Sequence, residues 1–271
     1  MRAKVGTAAV ALWAGTLLAG AAAAQGNATK FSWAVGAEGH YQRYEEPSLN
    51  VSEEGPFLGV TLEAQADIEL WMLRADGRFA YGNMDYQGSG TIDDIDDLVA
   101  EGRFVIGRIL PLGGDGDRIT PYAGYGYRRL IDYLGGKVST TGARGYDRLS
   151  QYHYVPIGLE GQFRVAPNWS IKPTIEYDYF IEGSQDSYLS QAVAGLADLH
   201  NSQNSGYGLR ASLMGITTIG SRPVEFGPFV RYWNIDDSDV QPVNFQGVTV
   251  GGGFEPANET IEVGLALKVR F

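Results

Sequence analysis

The sequence predicts an all-β fold: a closed antiparallel up-and-down transmembrane β-barrel of about 10 strands, within a range of roughly 8 to 12. Three observations predict it. Segments long enough to cross a membrane as tilted strands alternate apolar with polar side chains, so each has one face of either kind. Short and long connections alternate along the chain. Within the segments, the charged residues fall almost entirely on one parity.

The final segment shows the pattern most clearly. Val263, Leu265, Leu267, Val269 and Phe271 share one parity, and Glu262, Lys268 and Arg270 share the other. From the start, a first strand over about 32–44 places Trp33, Val35, Ala37 and Tyr41 against Glu38, His40 and Gln42. A second over about 56–66 sets Leu58, Val60 and Leu62 against Thr61, Glu63 and Gln65. A third over about 70–85 opposes Leu73, Phe79 and Tyr81 to Arg74, Asp76 and Arg78. A fourth over about 98–110 opposes Phe104 and Ile106 to Glu101 and Arg103.

The tight turn Gly113-Gly114-Asp115-Gly116-Asp117 suits residues that tolerate unusual backbone angles. A fifth strand over about 118–134 turns Ile119, Tyr125 and Tyr127 away from Tyr122, Arg128 and Asp132. A sixth over about 151–165 turns Ile157, Leu159 and Val165 away from Tyr154, Glu160 and Arg164. The seventh, about 169–183, sets Trp169, Ile175, Tyr177, Tyr179 and Ile181 against Lys172, Glu176, Asp178 and Glu182. The eighth and ninth run about 206–219 and 224–235. The long connections are 45–54, 86–97, 135–150, 184–205 and 236–257, the last carrying Asp236, Asp237 and Asp239.

The charge inventory decides between a membrane barrel and a soluble one. One face collects Arg74, Asp76, Arg78, Glu101, Arg103, Arg128, Glu160, Arg164, Lys172, Glu176, Asp178, Arg210, Arg231, Glu262, Lys268 and Arg270. An Arg or Lys facing mid-bilayer hydrocarbon costs about 2–4 kcal/mol, so this set is expected to line the lumen. The other face is rich in Trp, Tyr, Phe, Leu, Ile and Val, more apolar surface than a soluble monomer exposes. Closure would satisfy every backbone group in hydrocarbon, which an open sheet would not. The 37 Gly, 16 Tyr, 11 Phe and 5 Trp fit strand bends and interfacial aromatics.

The chain has 271 residues, a formal net charge of -11 and no cysteine. Disulfides, thiolate metal sites and a lipidated cysteine are excluded, and an acidic product argues against nucleic acid as a partner. Residues 1–24 have a basic start at Arg2 and Lys4, an apolar stretch and Ala22-Ala23-Ala24, the pattern of a cleaved signal peptide. Residues 25–271 are then the barrel domain. Beyond the leader no stretch of about 18 apolar residues offers a helical span.

The alternating segments, the leader and the tail Leu267-Lys268-Val269-Arg270-Phe271 resemble small bacterial outer-membrane β-barrel proteins. The resemblance covers about 27–271. It implies a Gram-negative cell-envelope protein, exported through the inner membrane and resident in the outer membrane. Val263, Leu265, Leu267, Val269 and Phe271 are similar to the signal read by the barrel-assembly machinery. Outer-membrane lipid and lipopolysaccharide are the implied surroundings.

The expected function is non-enzymatic: a structural or surface-interaction role with a charge-filled lumen. A narrow porin-like channel is the alternative, and a hydrolase at the outer rim the third. No catalytic, cofactor or metal site is expected, since no nucleophile motif occurs. The acidic runs 93–97 and 236–239 lack the spacing of a helix-loop-helix calcium loop, and loose ion bridging to lipopolysaccharide phosphates is their other reading. His153 and His200 fall near the expected outer rim, but general-base chemistry needs partners within hydrogen-bond reach, which spacing alone does not show. Tyr146, Tyr188 and Phe245 stand at loop tips suited to a partner.

Overall fold

The computed structural model describes residues 29–113 and 116–271. The leader read at 1–24 lies outside the described residues, as do two residues of the glycine–aspartate turn. Fourteen strands follow: β1 (Lys30–Glu46), β2 (Val51–Ile68), β3 (Trp71–Gly88), β4 (Gly90–Arg108), β5 (Leu110–Pro111), β6 (Arg118–Tyr133), β7 (Arg148–Ala166), β8 (Trp169–Ser187), β9 (Leu199–Gln203), β10 (Gly206–Ile219), β11 (Arg222–Ile235), β12 (Gln241–Phe245), β13 (Val248–Gly253) and β14 (Asn258–Arg270).

Ten of these close a barrel in the order β1-β2-β3-β4-β6-β7-β8-β10-β11-β14. Every neighbouring pair is antiparallel, and β14 returns to β1 over Ala34↔Arg270 to Glu45↔Glu259. Closure removes free sheet edges from the hydrocarbon. The ten-stranded, up-and-down expectation therefore holds.

The wall is two-faced because side chains of a strand alternate. In β1, Glu38, His40 and Gln42 are buried inside while Trp33, Val35 and Tyr41 are exposed outside. The outward residues form an apolar band edged by aromatics. Trp33 stacks on Phe271 at 4.1 Å, and Trp169 meets Phe226 edge-on at 5.8 Å. Arg108 lies over Trp71 and Arg222 over Phe271 on the same side. On the opposite side, Tyr177, Tyr207 and Tyr232 run together. Such aromatic girdles mark the two membrane interfaces.

The two ends of the barrel differ. Beyond the Trp belt the chain turns within Glu69–Leu70, Pro167–Asn168 and Gly220–Ser221. Beyond the Tyr belt the structure is larger. Here the expected loops 45–54 and 86–97 need correction, because β1 to β4 continue as strands well past the belt. Their outward side chains simply change from apolar to polar, as at Arg43, Glu54, Asn83 and Asp96, so water rather than lipid surrounds the extension. The run 93–97 is likewise part of β4, with Ile95 and Asp97 turned inward.

The β3–β4 connection is so tight that Gly88 pairs Gly90, and Gly90 takes φ +108°, where a side chain would be strained. The expected loop 184–205 contains β9, which extends the pairing of β8 where β10 leaves off. The expected loop 236–257 contains the hairpin β12–β13. A bulge at His153/Tyr154 shifts the register of β7 against β8, so Glu182 is exposed rather than inward as read from parity.

Candidate functional site: the ion-paired lumen and the outer vestibule

Because inward positions recur on every strand at the same height, charges from all around the barrel meet on its axis. Glu262 on β14 is fully buried and receives three guanidinium groups. Arg78 donates to it from two nitrogens at 2.8 and 2.9 Å, Arg128 at 2.8 Å and Arg231 at 3.0 Å. Glu38 accepts from Arg231 at 2.8 Å and Arg78 at 3.2 Å. Glu101 accepts from Arg78 at 2.7 Å, from Arg210 and from the Tyr154 hydroxyl. Arg210 also donates to Asp178 at 2.6 Å.

The network continues toward the Trp belt. Arg103 bridges Asp76 at 2.8 Å and Glu176 at 2.5 Å, and Tyr122 donates to Glu176 at 2.6 Å. Arg74 pairs with Glu160 at 2.8 Å. Arg270 bridges Glu63 and Glu225 at 2.6 and 2.8 Å, with Lys268 on Glu63 and Lys172 on Glu225. A cavity of about 140 Å³ remains among these groups.

Of the sixteen residues read as lumen charges, fifteen take part in these contacts. Arg164 is exposed near the end of β7, where its backbone amide donates to Asp117 at 2.8 Å. Parity reasoning placed Tyr122, Tyr154 and His40 on the inward face but gave Trp233 no place, since it carries no charge to mark it. Trp233 is almost completely buried, with Arg128 and Arg210 over its ring at 5.2 and 5.5 Å. His40 stacks on Phe57 at 5.0 Å inside the wall.

The other histidines lie apart from it and from each other. His153, on β7, contacts the Tyr125 hydroxyl, and His200, on β9, meets Asp186 at 2.6 Å on the exposed side. Among the described residues no group of three or more His, Asp or Glu side chains is arranged to hold a metal ion. Val263, Leu265, Leu267 and Phe271 are exposed on the outer wall, and Val269 is half-buried.

Above the Tyr belt the lumen opens into a vestibule of about 420 Å³, walled in part by Leu134, Leu199, Tyr146 and Phe254. Its charge chemistry differs from that below. Arg148 pairs with Glu46 at 3.0 Å and with Glu255, and Tyr44 donates to Glu46 at 2.8 Å. Burial pushes the Glu255 carboxyl up, against the pull of Arg148. Three further acids, Glu53, Asp97 and Asp132, adjoin a small cavity of about 40 Å³ that Arg148 also lines. Burial pushes all three carboxyls up, Glu53 to about 7. Sequence reasoning placed Arg148 and Glu255 in loops and gave them no role.

No family model matches this chain, and no curated protein matches it. Solved structures do. The outer membrane protease OmpT from Escherichia coli is similar over 90% of this chain and 96% of its own, with a TM-score of 0.56 and 13% identity. Neisserial surface protein A aligns over 88% of this chain and 97% of its own, with a TM-score of 0.31 and 10% identity. The translocator domain of the autotransporter NalP from Neisseria meningitidis aligns over 89% of both chains, with a TM-score of 0.38 and 12% identity. With the closed barrel, apolar band and aromatic belts, the chain has the fold of the bacterial outer-membrane β-barrels.

Proposed function

We propose that this is a non-enzymatic integral outer-membrane protein whose barrel is sealed by its own ion pairs and whose extended outer end meets the surroundings. The carrying observation is the convergence of Arg78, Arg128 and Arg231 on Glu262, which cross-links β3, β6, β11 and β14 through the axis. A barrel of this strand number has an interior that side chains can largely fill. Long guanidinium and carboxylate chains fill it here, and the pairing keeps the buried charge tolerable. The outer end, including the β12–β13 hairpin, is the surface offered to lipopolysaccharide or an external partner. The outward row Val263, Leu265, Leu267, Val269 and Phe271 then serves as the assembly signal, after export by a cleaved leader.

Planar-bilayer recording tests the sealed lumen. The pure protein is expected to give no stable conductance steps. Large, regular steps would establish the narrow channel instead.

A rim hydrolase is the second reading, favoured by the His200–Asp186 contact at 2.6 Å. The fold shared with a protease does not carry that chemistry over, since fold and function separate. A protease or lipid-hydrolase activity lost in His200→Ala would establish it.

A further inference from the structure

The vestibule holds an electrostatic imbalance that the lumen below does not. Five carboxylates (Glu46, Glu53, Asp97, Asp132 and Glu255) and two guanidinium groups, Arg144 and Arg148, line the vestibule and the small cavity, and only Arg148 lines both. Glu46 and Glu255 take that cation. The other three acids are left over. Asp97 and Asp132 sit directly opposite each other on β4 and β6, where facing like charges repel. Oε1 of Glu53, Oδ1 of Asp97 and both carboxylate oxygens of Asp132 are buried with no hydrogen-bond partner among the described residues. Glu53 and Asp97 are only 3% and 7% exposed. Buried acceptors without donors cost free energy, and they mark a place where a donor-rich cation would be stabilised.

The two cavities, which share Arg148 as a lining residue, state what shape that cation has. The acid-lined one, about 40 Å³, has room for one group of roughly the ~30 Å³ that a water occupies in the liquid. The other cavity, the vestibule of about 420 Å³, falls within the range of ligand pockets and is walled in part by apolar side chains. A primary ammonium brings three N–H donors and one positive charge in a compact head. We propose that the vestibule binds a small amphiphilic primary amine, its ammonium held by Glu53, Asp97 and Asp132 and its apolar body by Leu134, Leu199 and Phe254. The site is independent of whether the lumen below conducts.

The groups facing the ammonium position are Tyr44 and Glu46 of β1, Asp97 of β4, Asp132 of β6, Arg148 of β7 and Glu255 ahead of β14, with Asp96 and Asp147 further out. In the empty site burial favours protonated acids. Ammonium binding needs these acids ionised, and the Glu53 carboxyl is pushed up to about 7, so affinity rises as pH rises through about 7.

Calorimetric titration of the whole barrel, folded in detergent micelles, with benzylammonium tests this. One saturable site is expected. Benzyl alcohol, which lacks the charge, and benzyltrimethylammonium, which lacks the N–H donors, should each bind at least ~10-fold more weakly. Asp97→Asn and Asp132→Asn should each weaken benzylammonium by on the order of 10- to 100-fold, while the exposed Asp93→Asn leaves it unchanged. Heat-modifiable migration on gels confirms folding of each variant, and Glu53→Gln supplies the same comparison where an Asn variant does not fold. Absence of saturable binding near pH 8, equal affinity for benzyl alcohol, or undiminished binding to the acid-to-amide variants would overturn the proposal.

Discussion

The lumen and the vestibule are built from the same side chains and treat them oppositely. Below the Tyr belt each buried acid meets guanidinium or ammonium groups, and Glu262 alone meets three guanidinium groups. Above it, Glu53, Asp97 and Asp132 are stacked around a cation already committed to Glu46 and Glu255. The difference teaches that charge in this barrel does two things. Matched, it fills and fixes the wall; unmatched, it stores repulsion that protons or a ligand can relieve. Water above the belt makes the second arrangement bearable, while hydrocarbon around the first does not.

The largest effect should come from breaking the matched region. Glu262→Gln leaves Arg78, Arg128 and Arg231 around a neutral group. Removing one partner of a buried ion pair costs about 3–5 kcal/mol. Urea unfolding in micelles is expected to show a loss of that size. A variant as stable as the parent would mean that water, not Glu262, compensates these arginines.

The unmatched region should show itself through pH. Glu53 is raised from an ordinary value near 4.5 to about 7, so the folded protein binds the proton more tightly than the unfolded chain. Its contribution is present below about pH 4.5 and is lost as pH rises through about 7, for a change on the order of 3 kcal/mol. Stability measured across that window should fall with rising pH, and Glu53→Gln should flatten the slope. A rising curve would contradict the imbalance.

A smaller gain is expected from relieving the facing pair. Asp97→Asn replaces repulsion with a neutral amide and should stabilise the barrel at neutral pH by roughly 0.2–1 kcal/mol. The same change below about pH 4, where the acids are protonated anyway, should have almost no effect. Equal effects at both pH values would point to packing rather than charge.

The matched region was legible in the sequence and the unmatched one was not, for one physical reason. Inside the lipid span, strand parity is enforced by hydrocarbon, so Arg74, Arg78 and Glu262 could be assigned inward from their position alone. Above the belt that constraint ends. Outward residues such as Arg43, Glu54 and Asp96 are polar too, alternation disappears, and segments such as 45–54 read as loops although the structure extends them as strands. Arg148 stands at the first residue of β7, so nothing in its neighbourhood marked it as inward. Trp233 was missed because an inward Trp is unusual in a charged lumen, and its place is explained only by partners from other strands: the arginines over its ring and the buried Tyr152 and Tyr154 beside it. Glu182 misled parity because a bulge has no sequence mark of its own.

A stability effect of similarly modest size belongs to the outer wall. Phe271 stacks on Trp33 at 4.1 Å and lies under Arg222 at 4.5 Å, on the strand that closes the barrel against β1. Its ring is still 40% exposed, so Phe271→Ala removes an aromatic pair worth about 0.5–1.5 kcal/mol and little buried core. Unfolding in micelles should record that modest loss. If the terminal row is also an assembly signal, the amount of barrel reaching the outer membrane in cells should fall far more than this stability loss would cause, while Trp33→Ala, which breaks the same stack from the other side, should spare assembly. Equal cellular yields of the two variants would show that Phe271 acts only as a wall residue.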